Sequence, residues 1–426
     1  MRCVAPAASA APQSASVHVP STTIQLSGHI IDSMMLPKVL DAVMDLGGSF
    51  RIEELRVGTG KDDPSTARIE LQHETADGLD ALISACQAHG ALLVDTRPAR
   101  LEPAPRDGVF PDAFYSTSNQ PTRVLVKDGW INVESIEMDC AVVVDVVASR
   151  ARCVAVSDVR GGDLVVCGHD GIRVAPVERG RRREIFGFMT SSVSSEKPKH
   201  LVIRELGATM REVRAQGGKI CIVGGPAIIH TGAGGHLERL IDMGYVQVLL
   251  AGNALAAHDI EAQLFGTSLG IDLRNGLPIE AGHEHHIRAI NRIRAAGSIR
   301  AAVEDGVIRA GVMHACVRNG VDVVLGGSVR DDGPLPDVIT DVVEAQRRMR
   351  EALRGVQLCI MLSSMLHAIA TGNMLPAATR TVCVDINPAV VTKLADRGSS
   401  QTLGLVTDVE SFLRELAECL APPENA

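Results

Sequence analysis

Aromatic side chains are nearly missing from this chain: seven Phe, two Tyr and one Trp in 426 residues. That scarcity leaves few rings to stack on unpaired bases, and it hands the core to Val, Leu, Ile and Ala. A surplus of positive charge is missing too, since 42 Lys and Arg stand against 51 Asp and Glu, for a formal charge of −9. Polyphosphate is repelled at long range by such a balance, so nucleic acid is excluded as a non-specific partner. No apolar run reaches the roughly 18 residues of a membrane span, and no membrane attachment is expected. The ten cysteines, from Cys3 to Cys419, include no C-x-x-C pair. In so long a chain they read as reduced, mostly buried thiols of a cytoplasmic protein.

What is present is globular. Hydrophobic residues at 46% with 22% charged residues support a sizeable core, and the length predicts two or three domains. Residues 1–22, rich in Ala, Ser and Pro, read as a disordered tail, with a short transit-type leader as the alternative. Residues 23–100 alternate as strand, helix, strand, strand, helix, strand, the order of a ferredoxin-like α+β module. Residues 101–183 predict a small β-rich domain, with hairpins around Asp128-Gly129 and Asp170-Gly171 and a packed Trp130. Residues 184–426 repeat short apolar strands followed by helices, which predicts an α/β domain with a doubly wound parallel sheet.

Ligands of such sheets sit at the carboxyl ends of the strands. Those ends read Gly224-Gly225-Pro226, Gly252-Asn253-Ala254, Gly326 to Asp332, Ser363 to His367, Asp385-Ile386-Asn387-Pro388 and Thr407-Asp408. Small residues let the backbone approach a ligand, and helix N-termini offer amide donors to phosphate. The usual dinucleotide fingerprint is incomplete, because Leu237 stands where "HTGAGGHL" would need its third glycine. Asp385 fits either a ribose contact or a helix N-cap. Taken together, the strand ends favour a dinucleotide. "AGHEHH" (His283, Glu284, His285, His286) has no third spaced ligand for zinc, so no metal is expected; a cleft lining or a solvated helix start remain. "FGFMTSSVSSEKPKH", with Lys197 and Lys199, lacks a nucleophile elbow and reads as ligand contact or loop.

Longer strings are more specific. "GHIIDSMMLPKVLDAVMDLGGSF", "VGTGKDDPS", "VVLGGSVRDDGPLPDVITD", "MLHAIATGNMLP" and "VCVDINPAVVTKLADRGSSQTLGLVTDV" closely resemble the archaeal-type ornithine cyclodeaminase family. This family also forms the C-terminal part of the arginine-guanidine-removing enzyme and is known as a lysine-oxoglutarate reductase/saccharopine dehydrogenase conserved-domain family. The resemblance covers about residues 24–420. It implies conversion of L-ornithine to L-proline and ammonia with catalytic, recycled NAD, on an NAD domain resembling that of deoxyhypusine synthase. It implies NAD contacts at Asn253, Ala254, Asp332, Ser364, Met365, Leu366, His367, Asp385 and Asp408.

That chemistry needs hydride removed from Cα, attack of the δ-amine on the resulting imine, loss of ammonia and return of the hydride. The site must orient a flexible cation and exclude water. Asp331 is accordingly expected to face the substrate ammonium of L-ornithine or a similar cationic amino acid. His230 is expected to carry the proton, against a structural role for a buried histidine. A homo-oligomer is expected. An NAD-dependent amino-acid dehydrogenase of the saccharopine type and a non-catalytic NAD or amino-acid sensor are the competing functions.

Overall fold

A computed structural model describes residues 19–31, 34–59, 63–94, 97–127, 129–175, 199–273, 277, 282–331, 333–396 and 402–422. The chain folds as two compact units. One draws on residues 1–100, 122–131 and 167–176, and the other on the rest.

The first unit begins with β1 (Ser21–Gly28), α1 (Met35–Asp45), β2 (Ser49–Arg56), β3 (Ser65–Gln72), α2 (Ala76–Ala88) and β4 (Leu92–Leu93). The sheet runs β2-β3-β1-β4 with every neighbour antiparallel, which is the split βαβ order of a ferredoxin-like module. Alternation buries Ile24 and Leu26 of β1 and Ala67, Ile69 and Leu71 of β3. Against them α1 sets Met35, Val39 and Val43, spaced by one helical turn. Thr75 starts α2 by accepting the Gly78 amide at 3.1 Å.

Seven strands follow: β5 (Arg100–Pro103), β6 (Thr122–Val126), β7 (Gly129–Glu134), β8 (Ala141–Asp145), β9 (Arg150–Val154), β10 (Leu164–Cys167) and β11 (Ile172–Val174). Residues 101–183 therefore supply strands to both units. The Asp170-Gly171 turn is present, with Gly171 at φ +67°, but it closes no hairpin. β10 pairs with β8 and β11 pairs with β6, and the Gly171 carbonyl accepts the Leu125 amide from the β6 side at 2.7 Å. Asp128, the first residue of the other expected turn, lies outside the described residues.

The α/β part comprises α3 (Lys199–Ala215), β12 (Lys219–Gly224), α4 (Ala227–His230), α5 (Gly234–Asp242), β13 (Val248–Gly252), α6 (Asn253–Phe265), β14 (Thr267–Ser268), β15 (Ile271–Asp272), α7 (His285–Ala296), α8 (Ile299–Glu304), α9 (Val312–Asn319), β16 (Asp322–Gly326), β17 (Val338–Ile339), α10 (Val342–Leu353), β18 (Val356–Leu362), α11 (Met365–Met374), β19 (Arg380–Asp385), α12 (Pro388–Asp396), β20 (Thr402–Val406) and α13 (Val409–Leu420). Seven strands form one parallel sheet in the order β17-β16-β13-β12-β18-β19-β20. Ile220 and Ile222 face a core shared with α3, α5, α6, α9 and α13, while Cys221 and Val223 face one shared with α10, α11 and α12. Both faces are thus covered, as strands without polar alternation require. The described cysteines are unpaired, and all are buried except the half-buried Cys419. The small strands of the same unit are tied on by a nearly buried ion pair, Arg350 Nε to both oxygens of Glu137 at 3.0 and 2.8 Å. Among the described residues no helix is long and apolar enough to cross a membrane.

Candidate active site

The sheet order reverses between β12 and β18, so the ligand crevice opens where those two strands end. The Gly225 amide there donates to the Leu362 carbonyl at 2.9 Å, and a β-carbon on Gly225 would overlap the Ser363 carbonyl oxygen. Ser363 holds φ +49° with its amide bonded to Val384 O at 3.0 Å. The crevice floor is therefore bare peptide, which only glycine permits at position 225. Directly beyond, Ser364 precedes α11, and no side chain caps the first turn of that helix. Its amides are left for an anion.

The third residue of α11, His367, reaches across to the neighbouring strand ends. A β-carbon on Gly252 would stand 2.9 Å from its Cε1, and one on Gly326 would stand 3.5 Å from its Nε2. Burial lowers the His367 pKa below the ordinary histidine value, although the nearby Asp331 charge works in the opposite direction. The ring is neutral at pH 7. Asp331 is half-buried, and its Oδ2 accepts the Ser328 amide at 2.8 Å, which closes the loop after β16. Asn253 is buried at the start of α6 and its Oδ1 accepts the Leu335 amide at 3.0 Å. The acidic loop is thus fastened at both ends. Ala254 follows in the first turn of α6, and Met365 and Leu366 lie exposed at the rim.

At the far strands, Asp385 ends β19 and its Oδ1 accepts the Asn387 amide at 2.8 Å. It does not cap the next helix. Asn387 does, by accepting the Ala389 amide at 3.0 Å. Asp408 caps α13 through the Ser411 amide at 3.0 Å. Lys199 comes from the opposite end of the domain sequence to donate to Thr407 Oγ1 at 3.1 Å. Asp332 lies outside the described residues, as do Lys197 and the serine-rich stretch before it.

His230 belongs to a second cluster, built from α4, α6, β14 and α7. Its Nδ1 is 2.6 Å from Ser268 Oγ, and its ring meets that of His258 edge-on at 4.7 Å. Burial, with some help from His258, lowers its pKa to about 4. His258 Nδ1 lies 2.8 Å from Oε2 of Glu261, which has no exposed surface. Glu261 also accepts Thr267 Oγ1 at 2.9 Å and the amides of Leu269 and Gly270 at 3.3 and 3.2 Å. Burial alone drives this carboxyl up, but those donors bring it net below its ordinary value. From α7, His285 bonds Thr267 at 2.8 Å and stacks on Phe265, and His286 lies 6.3 Å from His258. Among the described residues no group of three or more His, Cys, Asp or Glu is placed to hold a metal.

His258, Glu261 and Ser268 carry no motif, and the sequence did not single them out. A signal does exist: "HDIE" interrupts the apolar "ALAAHDIEAQLFG", and in a buried helix such residues need partners. The remaining polar residue of that stretch, Asp259, takes the Val312 and Met313 amides at 2.9 and 2.8 Å.

A parallel sheet that reverses over glycine-lined strand ends defines a Rossmann-type nucleotide-binding domain. Residues 204–416 match the Rossmann-fold region of the arginine dihydrolase ArgZ-like C-terminal part, 121–203 match its first region, and 21–120 match the LOR/SDH bifunctional enzyme conserved region. The chain is 51% identical to the ornithine cyclodeaminase of Methanothermobacter thermautotrophicus, over 92% of this chain and 95% of that protein. Apo ArgZ, an arginine dihydrolase from the ornithine-ammonia cycle in cyanobacteria, superposes with a TM-score of 0.84 at 39% identity. That likeness covers 95% of this chain and 59% of ArgZ, so this chain spans little more than half of the bifunctional protein. AgrE in ternary complex with ornithine and NAD+ matches at a TM-score of 0.52 and 43% identity, over 95% of this chain and 58% of AgrE. The chain belongs to the archaeal-type ornithine cyclodeaminase family.

Proposed function

We propose that this chain is an NAD-dependent ornithine cyclodeaminase that forms L-proline and ammonia from L-ornithine. The observation that carries the proposal is the switch-point crevice, where the His367 imidazole stands over bare glycine backbone within electrostatic reach of the Asp331 carboxylate. The likeness to AgrE, which binds ornithine and NAD+, supports it.

The residues present fit NAD. Gly225, Gly252 and Gly326 leave room for close backbone approach. The uncapped first turn of α11 suits a pyrophosphate, and Asp385 occupies the strand tip that takes ribose hydroxyls in such folds. We assign NAD contacts to Asn253, Ala254, Asp332, Ser364, Met365, Leu366, His367, Asp385 and Asp408. When bound, NAD supplies a hydride acceptor and later the donor of the same hydride, and so is not consumed.

The chain itself handles charge and protons. Asp331 neutralises a substrate ammonium, and the loop held by Ser328 and Asn253 keeps it in place. His230, neutral near pH 7, accepts the proton that the α-ammonium must lose and returns it to the departing ammonia. The δ-ammonium must also lose a proton before its nitrogen can attack, and one proton is returned to the ring nitrogen of proline. No net proton is consumed, because a doubly protonated ornithine yields a proline zwitterion plus ammonium. Holding the δ-amine near Cα supplies much of the rate by orientation.

Purified protein given ornithine and NAD should form proline and ammonia in equal amounts without accumulating NADH. NADH rising in step with ornithine loss would make the protein a dehydrogenase, and NAD binding without turnover would make it a sensor. We also propose a homo-oligomer, since the edge strand β2 leaves Ile52 and Leu55 exposed, with Val57 just beyond. A monomer mass by light scattering would remove that part.

A further inference from the structure

We propose that Glu261 and His258 are positioning residues for His230, forming one proton-handling unit in which a buried carboxylate orients one imidazole and supports positive charge on the other. The role in turnover depends on the cyclodeaminase function proposed above.

The argument starts from the cost of Glu261. A carboxylate with no exposed surface is destabilising unless it is well paired, and a helix serving only to fill the core would carry Leu or Ala there. Instead four donors converge on it, from His258, Thr267, Leu269 and Gly270. An ionised carboxylate only accepts, so the 2.8 Å contact places a proton on His258 Nδ1 and leaves the lone pair on Nε2. Thr267 gives its single hydroxyl proton to Glu261, so His285 Nδ1 must donate to Thr267 Oγ1. Three side chains from separate elements thereby lock one carboxylate in place.

The second observation is the closeness of the two rings. At 4.7 Å, edge to face, His230 and His258 cannot both be imidazolium at low cost. At most one of the two rings therefore carries a positive charge at a time, above the buried Glu261 carboxylate. Ser268, bonded to His230, is the chain neighbour of Thr267, bonded to Glu261, so β14 holds both halves of the unit. His230 closes α4, four residues past Pro226 at the switch point. His258 sits about 7–8 Å along α6 from Asn253 at the crevice.

Among the described residues, the titratable groups placed by these contacts around the pair are Glu261 on α6 and His285 and His286 on α7. Glu410 of α13, a helix that also touches α4, is engaged by His236 and Arg414. When His230 takes the substrate proton, the new imidazolium is balanced by Glu261, and release of that proton with the departing ammonium restores the starting state.

Two experiments on the full chain decide the matter. Nitrogen-15 spectra of the unaltered protein should show His258 as the Nδ1–H tautomer; the Nε2–H tautomer would overturn the proposal. Glu261→Gln keeps the size and the acceptor but removes the charge. His230 should then titrate lower, on the order of one pKa unit, in protein without ligand. Turnover at its plateau should fall about 10- to 100-fold, with the acidic limb moved to lower pH and KM for ornithine within about twofold. Unchanged His230 titration, or an unmoved acidic limb, would make Glu261 a structural residue only. If the unaltered protein does not turn over ornithine, the function fails, while the tautomer and titrations still test the buried unit.

Discussion

The His367 ring lies across the α-carbon of Gly252, so near that an added β-carbon would come to 2.9 Å from its Cε1. Gly252 has φ −99°, an ordinary backbone conformation, so glycine is there for space and not for freedom of φ. Gly252→Ala should therefore fold and displace the ring. NAD affinity by calorimetry should drop about tenfold or more, since misplacement of roughly 1 Å can cost up to about a hundredfold in rate. Unchanged affinity would dissociate His367 from the cofactor site.

Asp331→Asn should abolish most turnover while leaving NAD binding within about twofold. The asparagine oxygen can still accept the Ser328 amide that now binds Oδ2, so the loop persists and only the charge is lost. Removing a charge partner from a bound ammonium costs on the order of 2–3 kcal/mol or more. Steady-state rates beside calorimetric NAD binding separate the two effects, and normal turnover would remove Asp331 from the mechanism.

Acid stability should carry the mark of His230. Its folded pKa is about 4, below the roughly 6.5 of an unfolded chain. Its contribution to stability is therefore present above pH about 6.5 and is lost as pH falls toward 4, because the unfolded chain takes the proton first. His230→Gln should flatten that part of the slope in thermal melts from pH 7 to 4. An identical slope would place the imidazole in contact with bulk water.

Asp259 should act with the opposite sign. Complete burial lifts its carboxyl to about 7 against two amide donors that pull it down. Its contribution is fully present below pH about 4 and is lost as pH rises through about 7. Asp259→Ala would orphan the Val312 and Met313 amides at the start of α9. A loss of about 2–4 kcal/mol follows from two buried donors left unmade, readable by urea denaturation; a loss under about 1 kcal/mol would mean that water replaces the carboxylate.

Much of the fold was legible because local chemistry is repeated along the chain. Ile220-Cys221-Ile222-Val223 is apolar on both sides of a strand, and that pattern alone calls for helices on both faces. The strand-end glycines were legible for the same reason, as breaks between an apolar run and a helix. Fine assignments were less secure. Asp385 was open as a helix cap, yet Pro388 starts α12 and makes Asn387 the residue before it. Asp170-Gly171 is a turn in sequence and in structure, but which strands pair across it was settled elsewhere in the chain.

By itself, then, the sequence determined the element types, the parallel sheet and the family, since these follow from periodicity, breakers and long specific strings. Only the tertiary structure decided that His367 crosses to Gly252, that Asn253 holds the loop of Asp331, and that His230 meets His258, Glu261 and Ser268. Periodicity is fixed by bond geometry within a few residues. Which buried polar groups satisfy one another depends on distances that exist only after distant segments have packed.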